Sequence, residues 1–119
     1  MGFITFNTEI INRLKTGSVK NVLLFGDSMN RNAAPYVVVK PIAGGGRKLL
    51  QIIAHMAVGM QDCLEAYIFR ELPALLKEPL EAEGKRMTAR NTGAWLGPYN
   101  DEGDNTLAMS RDFYIPIIA

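Results

Sequence analysis

The sequence predicts a single α+β domain over residues 1–119, in which an antiparallel sheet packs against one long helix and a short N-terminal helix as a two-layer sandwich. Residues 59–77 place their apolar side chains at steps of three and four, so that these form one stripe along a helix. The segments on both sides are rich in β-branched residues or alternate between apolar and polar residues, as half-buried strands do. The length of 119 residues suits one domain and is too short for two.

The helix over residues 59–77 is the element around which we expect the others to be arranged. Asp62 and Glu65 lie in its first turns, where the positive end of the helix dipole favours carboxylates, and Lys77 lies at the opposite end. Pro73 lacks an N–H group, so a kink or a restart is expected near Leu72. The apolar stripe, which must pack on another layer, consists of Met60, Leu64, Tyr67, Ile68, Leu72, Leu75 and Leu76.

A short helix is predicted over residues 8–15, near the N-terminus. Asn7 or Thr8 can cap its first turn, and Gly17 can end it in a left-handed conformation. The side chains that we expect this helix to turn inward are Ile10, Ile11 and Leu14.

Five strands are predicted, over residues 22–25, 36–42, 47–58, 86–96 and 106–118. Gly44, Gly45 and Gly46 are expected to form the turn of an antiparallel hairpin between the second and third strands. Segments 26–35 and 97–105 are rich in turn-forming residues and are predicted to be loops, and residues 79–84 a polar exit from the helix. The last strand alternates apolar and polar residues, which is typical of a half-buried antiparallel strand.

Composition and charge exclude several classes of partner. The net charge of +1 argues against duplex DNA or an anionic membrane surface. No segment approaches the roughly 18 consecutive apolar residues that a membrane-spanning helix needs. Cys63 is the only cysteine, so neither an internal disulfide nor a cysteine-based metal site is expected. On the long helix this thiol is expected to be packed or half-buried.

The sequence from Phe25 to Ser28 resembles the Gly-Asp-Ser block of the SGNH esterases, in which the serine is the nucleophile. A nucleophilic serine needs a base to accept its proton and an acid to orient that base. In that family the base belongs to a C-terminal Asp-x-x-His block, whereas the single histidine here is His55, in the middle of the chain. A turn built from Gly26, Asp27 and Ser28 therefore fits the sequence better than an esterase site.

Other patterns also have a simpler structural explanation. Gly44 to Lys48 is similar to a phosphate-binding loop but lacks the spacing and the Ser or Thr of a Walker A motif, which favours a hairpin turn. His55 has no second histidine beside it and Cys63 is the only cysteine, so a metal would need carboxylates as its remaining ligands, and a structural or interface role is expected. Asp101, Glu102 and Asp104 lack the EF-hand spacing and indicate a solvated loop. No catalytic, cofactor-binding or metal-binding residue is predicted, and the chain is not expected to be an enzyme.

The order and contents of the elements resemble the tail terminator (tail completion) proteins of long-tailed bacteriophages, the lambda-like minor tail protein family. The resemblance covers nearly the whole chain but includes no catalytic signature. Besides the short N-terminal helix, the segments that carry it are Pro35-Tyr36-Val37-Val38-Val39, residues 50–58, the helix over residues 60–72 with Leu-Pro-Ala-Leu-Leu at 72–76, and Arg111-Asp112-Phe113-Tyr114-Ile115-Pro116.

The resemblance implies a structural protein of a phage or prophage virion, located in the tail and assembled in the host cytoplasm. Such proteins form a homo-oligomeric ring, commonly a hexamer, that caps the tail tube and joins it to the head–tail connector protein. The loops over residues 26–35 and 97–105 are the expected contact segments. Trp95, Tyr99, Phe113 and Tyr114 are expected to be core or subunit-contact residues.

Two alternatives to an assembly protein stay open at this point. One is a small serine hydrolase of the Gly-Asp-Ser type that uses Ser28. The other is a small module that binds a ligand or a peptide, which would show itself as a ligand-induced rise in melting temperature.

Overall fold

A mixed sheet dominates the fold of the chain, which is described here from a computed structural model. The structure describes residues 2–26, 34–44, 47–82, 84–103 and 105–116. Within these ranges the strands are β1 (Val22–Leu24), β2 (Tyr36–Gly44), β3 (Arg47–Ala57), β4 (Leu80–Ala82), β5 (Lys85–Met87), β6 (Arg90–Asp101) and β7 (Thr106–Pro116). The helical elements are α1 (Gly2–Leu14), α2 (Gln61–Ala66), a π-helical turn (Tyr67–Glu71) and α3 (Leu72–Leu75).

The main sheet has five strands in the order β1-β2-β3-β7-β6, so β1 and β6 are its outer strands. β1 runs parallel to β2, and the other neighbouring strands are antiparallel. β4 and β5 form a separate two-stranded sheet. The register places one row of side chains across all five strands: Leu23, Val38, Ile53, Ser110 and Leu96.

The predicted fold class is therefore wrong. The described residues form a mixed sheet with short helical elements and not an antiparallel sheet packed on one long helix. Eleven residues, 25–35, separate β1 from β2, close to the dozen that a chain needs to return and pair in parallel. Hydrophobic patterning specifies which side chains are buried, and it does not specify the direction of the neighbouring strand.

The long helix predicted over residues 59–77 is shorter and divided into three parts. The Leu72 N–H donates to the carbonyl of Tyr67, five residues earlier, which is the wider π-type turn. Pro73 then lies in the first turn of α3, where a missing N–H is tolerated. The wide turn lies directly before Pro73 and accommodates it. α3 then begins at Leu72, where a kink or a restart was predicted. Five members of the predicted stripe are buried, namely Leu64, Tyr67, Ile68, Leu72 and Leu76, whereas Met60 is exposed.

The N-terminal helix is longer than predicted and ends differently. α1 begins at Gly2, so Asn7 and Thr8 lie inside it and do not cap it. Gly17 does not adopt the predicted left-handed conformation. A Cβ at this position would lie 2.5 Å from Oε2 of Glu71, and that carboxylate accepts hydrogen bonds from both the backbone N–H and the hydroxyl of Ser18. Gly17 therefore lies in a close approach to the ends of the Glu71 and Leu75 side chains, which would have to shift to admit a larger residue.

Arg13 links α1 to the end of α3 and to the residues that follow it. Its Nη1 donates to the carbonyl oxygens of Leu75 at 3.2 Å and Glu78 at 2.8 Å, and its Nη2 donates to that of Pro79 at 2.9 Å. Carbonyls at the end of a helix lack intrahelical partners, so one guanidinium satisfies several of them.

The core lies between one face of the sheet and the helical elements. The predicted hairpin between the second and third strands is confirmed, because β2 and β3 pair antiparallel from Tyr36–His55 to Gly44–Arg47. Gly45, Gly46 and most of the predicted loop 26–35 lie outside the described residues. The predicted loop over residues 97–105 is wrong in its first half, because β6 continues through Asp101 and only then turns. No helix among the described residues has the length and apolar character needed to cross a bilayer.

Candidate interaction surface

His55, the only histidine, sits in a buried structural environment. Its ring stacks on Tyr36 with centroids 4.4 Å apart and planes 10° apart. Its Nδ1 lies 3.0 Å from the hydroxyl oxygen of Thr106 and 3.8 Å from Oδ2 of Asp101. The imidazole therefore joins β2, β3 and β7 to the end of β6. Ser28, the nucleophile of the hydrolase alternative, lies outside the described residues.

The acidic segment after β6 forms a turn. Oδ1 of Asp101 accepts the backbone N–H of Gly103 at 3.0 Å, which is an Asx-type turn contact. Asp104 lies outside the described residues, and within the described ranges no group of three or more His, Cys, Asp or Glu side chains could hold a metal ion. Cys63 is exposed on α2, so the expectation of a packed or half-buried thiol is wrong.

The outer strand β6 exposes large apolar side chains to solvent. Trp95 is 55% exposed and Leu96 is 60% exposed, and Phe69 and Tyr99 are also exposed. We call these four residues the apolar edge. Since consecutive strand residues point to opposite faces, Trp95 lies on the helix side of the sheet and Leu96 on the other side. The register agrees, because Trp95 pairs with Arg111 and Leu96 with Ser110.

On the helix side, aromatic and cationic contacts hold the apolar edge in place. The rings of Phe69 and Trp95 meet edge to face, with centroids 5.5 Å apart. The guanidinium carbon of Arg111 lies 5.2 Å from the Phe69 centroid, and its Nη1 donates to the carbonyl of Ile68 in the π-helical turn at 3.2 Å. Beside Phe69 is an open hollow of about 420 Å³, lined by Asp62, Glu65, Ala66, Phe69 and Arg70.

On the opposite side of the sheet, β6 approaches β7 closely. A Cβ on Gly97 would lie 2.9 Å from the carbonyl oxygen of Ala108, and Gly97 has a φ of +109°, so glycine is needed here for two reasons. Leu96, Gly97, Pro98 and Tyr99 line a second open hollow of about 440 Å³. Burial, and secondarily the negative charge of Asp101, raise the pKa of the Tyr99 phenol.

β6 is a poor template for another strand despite its outer position. Its pairing with β7 is interrupted by register shifts between Asn91 and Trp95 and between Leu96 and Tyr99. The side chain of Asn91 accepts the Gly93 N–H at 2.8 Å, which fixes the first irregularity. Pro98 has no N–H to offer. Bulges and proline are known protections of sheet edges, so the apolar edge is suited to side-chain contacts and not to a continuous backbone ladder.

Other groups with shifted pKa values lie away from any shared cleft in the described residues. Burial first, and then the charge of Glu71, raise the pKa of Tyr67, whose hydroxyl has no hydrogen-bond partner among the described residues. Desolvation raises the pKa of the Asp112 carboxyl, on the face of the sheet opposite the helices. These shifts reflect burial in a core and on a sheet face.

Sequence reasoning found part of this surface. Of the aromatic residues predicted to be core or subunit-contact residues, Trp95 and Tyr99 are exposed and Phe113 is buried in the core. Phe69 and Leu96 were missed. Phe69 follows Asp62 and Glu65 on the polar side of the helical segment, and an aromatic residue at such a position was the available signal.

The chain matches no protein-family model and no curated protein. A solved structure shares its fold with a TM-score of 0.55 and 16% sequence identity, over 98% of this chain and 94% of that chain. At this identity the likeness shows the fold alone, over nearly the whole length of both chains.

Proposed function

We propose that the chain is a structural protein of bacteriophage or prophage virion assembly, a tail terminator. Copies of it form a ring, a hexamer in the commonest arrangement of the family it resembles, which caps the tail tube and joins it to the head–tail connector protein. It acts in the virion tail after assembly in the host cytoplasm. The observation that carries the proposal is the exposure of Trp95 and Leu96 on opposite faces of the outer strand β6.

The energetics of this surface favour a protein partner. Burying a large apolar side chain is worth about 1.5–3 kcal/mol, so leaving Trp95, Leu96 and Phe69 in water forgoes several kcal/mol. Interfaces are enriched in aromatic residues of this kind, particularly Trp and Tyr. The edge-to-face contact of Trp95 with Phe69 holds the ring in place before binding, which lowers the entropy cost of association.

The burial of His55 is an argument against the hydrolase alternative. A general base must reach both the nucleophile and the substrate. A partner on Nδ1 is also what a triad histidine has, so the Thr106 contact does not distinguish the two functions, whereas the Tyr36 ring covers one face of the imidazole. The side chain is also buried. These contacts describe a histidine that holds strands together.

The proposal is tested by molar mass and by electron microscopy. The purified protein at increasing concentration should form ring-shaped particles, or should bind the ends of tail tubes from the phage or prophage that encodes it. A Trp95→Ser, Leu96→Ser double variant should remain monomeric in light scattering and should no longer cap tubes.

The matched control is Val58→Ser, which removes an equally exposed apolar side chain from the turn after β3. This variant should assemble as the unchanged protein does. A protein that forms no ring at any soluble concentration, and that also fails to bind tail tubes, contradicts the proposal. So does ester hydrolysis that Ser28→Ala abolishes.

A further inference from the structure

The two outer edges of the molecule differ in the charged side chains that they carry. α1 packs against β1, and α2 packs against β6 and β7, so the helical layer follows the order of the sheet. Across five strands, the edges are separated by about 19 Å at the usual strand spacing. Each edge therefore presents both a helical and a sheet surface. The edge beside β1 and the edge beside β6 face away from each other.

The edge beside β1 is basic in the described residues. Lys15 at the end of α1 and Lys20 just before β1 are exposed, and the Lys20 ammonium donates to the Lys15 carbonyl at 3.3 Å. On the sheet layer, the Lys40 ammonium lies 4.7 Å from the ring centroid of Phe25, which is 54% exposed. We call Lys15, Lys20, Phe25 and Lys40 the basic edge.

The edge beside β6 carries carboxylates around the apolar edge. On the helical layer, Asp62 and Glu65 line the hollow beside Phe69 together with the cation Arg70, and the Arg111 guanidinium lies against the ring of Phe69. On the sheet layer, Asp101 and the exposed Glu102 follow the exposed Leu96 and Tyr99. The carboxylates thus flank apolar side chains in both layers. We call Asp62, Glu65, Asp101 and Glu102 the acidic edge.

We infer that the acidic edge and the apolar edge of one copy bind the basic edge of the next copy, in a head-to-tail contact; this inference rests on the proposed function. On the helical layer Lys15 and Lys20 meet Asp62 and Glu65. On the sheet layer Phe25 and Lys40 meet Leu96, Tyr99 and Asp101, because these side chains share the face opposite the helices.

The charges favour this arrangement over a twofold contact. Pairing the acidic edge with itself would bring like charges together, which costs free energy, whereas the head-to-tail contact brings opposite charges together in both layers. Head-to-tail contacts use two different surfaces on each subunit and close into a ring when the rotation permits. The bulges and Pro98 on β6 assign the contact to side chains and not to an added strand.

Charge reversal at each edge tests the inference. The acidic-edge variant is Asp62→Lys with Glu65→Lys, and the basic-edge variant is Lys15→Glu with Lys20→Glu. Each should weaken assembly at least about tenfold in apparent dissociation constant, measured by light scattering at low salt. Assembly of the unchanged protein should also weaken between about 50 mM and about 500 mM salt, because salt screens the contact.

Restored assembly would distinguish a contact between the two edges from a general loss of folding in the variants. A chain carrying all four reversals, or an equimolar mixture of the two variants, regains complementary edges and should assemble again. Circular dichroism checks that each variant is folded. Glu81→Lys, which reverses an exposed carboxylate on the β4–β5 hairpin, is the matched control and should leave assembly unchanged.

The outcomes separate this inference from the proposed function. If the unchanged protein forms rings and the reversals leave the rings intact, or if the four-fold reversal fails to restore assembly, the head-to-tail contact is wrong while the proposed function stands. If the unchanged protein neither forms rings nor binds tail tubes, both are wrong.

Discussion

The hydroxyl of Tyr67 is buried in the core and has no hydrogen-bond partner among the described residues. A buried polar group without a partner loses its hydrogen bonds to water on folding and gains none in exchange, which costs about 1–3 kcal/mol. The raised pKa of this phenol has the same origin, since burial penalises the charged form.

Tyr67→Phe removes this hydroxyl and should raise the free energy of unfolding by about 1 kcal/mol in urea titrations at neutral pH. Because the pKa is raised in the native state, the unfolded chain ionises first, at its ordinary pKa of 10.0, and stability falls as the pH rises above that value. The variant should lose less stability in that range. Tyr99→Phe, with a more exposed side chain, should change stability by less than about 0.5 kcal/mol. A clear loss of stability in Tyr67→Phe would mean that the hydroxyl has a partner.

Single residues also limit what sequence reasoning could predict. Gly17 was expected to end the N-terminal helix in a left-handed conformation, which it does not adopt, and its close approach to Glu71 depends on a residue far away in the chain. His55 was expected to have a structural or interface role, and its partner Thr106 likewise comes from a distant strand. The local sequence pattern therefore indicates that such a residue has a particular role, but it does not predict which residue it contacts.

At the scale of elements, Arg13 joins the N-terminal helix to the end of α3 and the residues after it by three hydrogen bonds to carbonyl oxygens. Hydrogen bonds to a charged group are worth more than neutral ones, about 1.5–3 kcal/mol. Glu71 adds a second link through Ser18. Both ends of the chain segment 13–18 are therefore joined to the helical segment that ends with α3.

Arg13→Met keeps most of the aliphatic side chain and removes the guanidinium, leaving carbonyls of Leu75 and Pro79 without this donor. We expect the free energy of unfolding to fall by about 2 kcal/mol, measured in urea. Lys15→Met is the control, because Lys15 is an exposed cation on the same segment, and should change stability by less than about 0.5 kcal/mol. Equal effects of the two variants would contradict this role of Arg13.

Hydrophobic periodicity predicted the buried face of the central helical segment, including Leu64, Ile68 and Leu72. It did not predict the π-helical turn, because the wider turn keeps the same residues inward while it accommodates Pro73. It also missed the small sheet of β4 and β5, whose strands are three residues each and too short for an alternating pattern.

At the scale of the whole molecule, the sheet brings the apolar edge to one side and the basic edge to the other. The strand order and the parallel pairing of β1 decide this placement. Neither follows from hydrophobic pattern, so the pairing of the two edges was beyond sequence reasoning although most of their residues are apparent in the sequence.

Trp95 is the only tryptophan, so its fluorescence reports directly on the apolar edge. In the monomer it is 55% exposed and should emit at long wavelength, as a tryptophan in contact with water does. If copies assemble through the apolar edge as proposed, concentrating the protein at low salt should shift the emission to shorter wavelength, and raising the salt should reverse the shift. An emission that does not change while light scattering reports assembly would place the contact elsewhere.

The irregular pairing of β6 has a consequence for the aggregation of the protein at high concentration. A regular outer strand of this length would let each molecule seed growth of an indefinite fibril. With Pro98 and two bulges, docking instead requires matching side chains on a neighbour. We therefore expect concentrated solutions of the protein to show no thioflavin signal; a signal that grows with time would contradict this role of the irregular pairing.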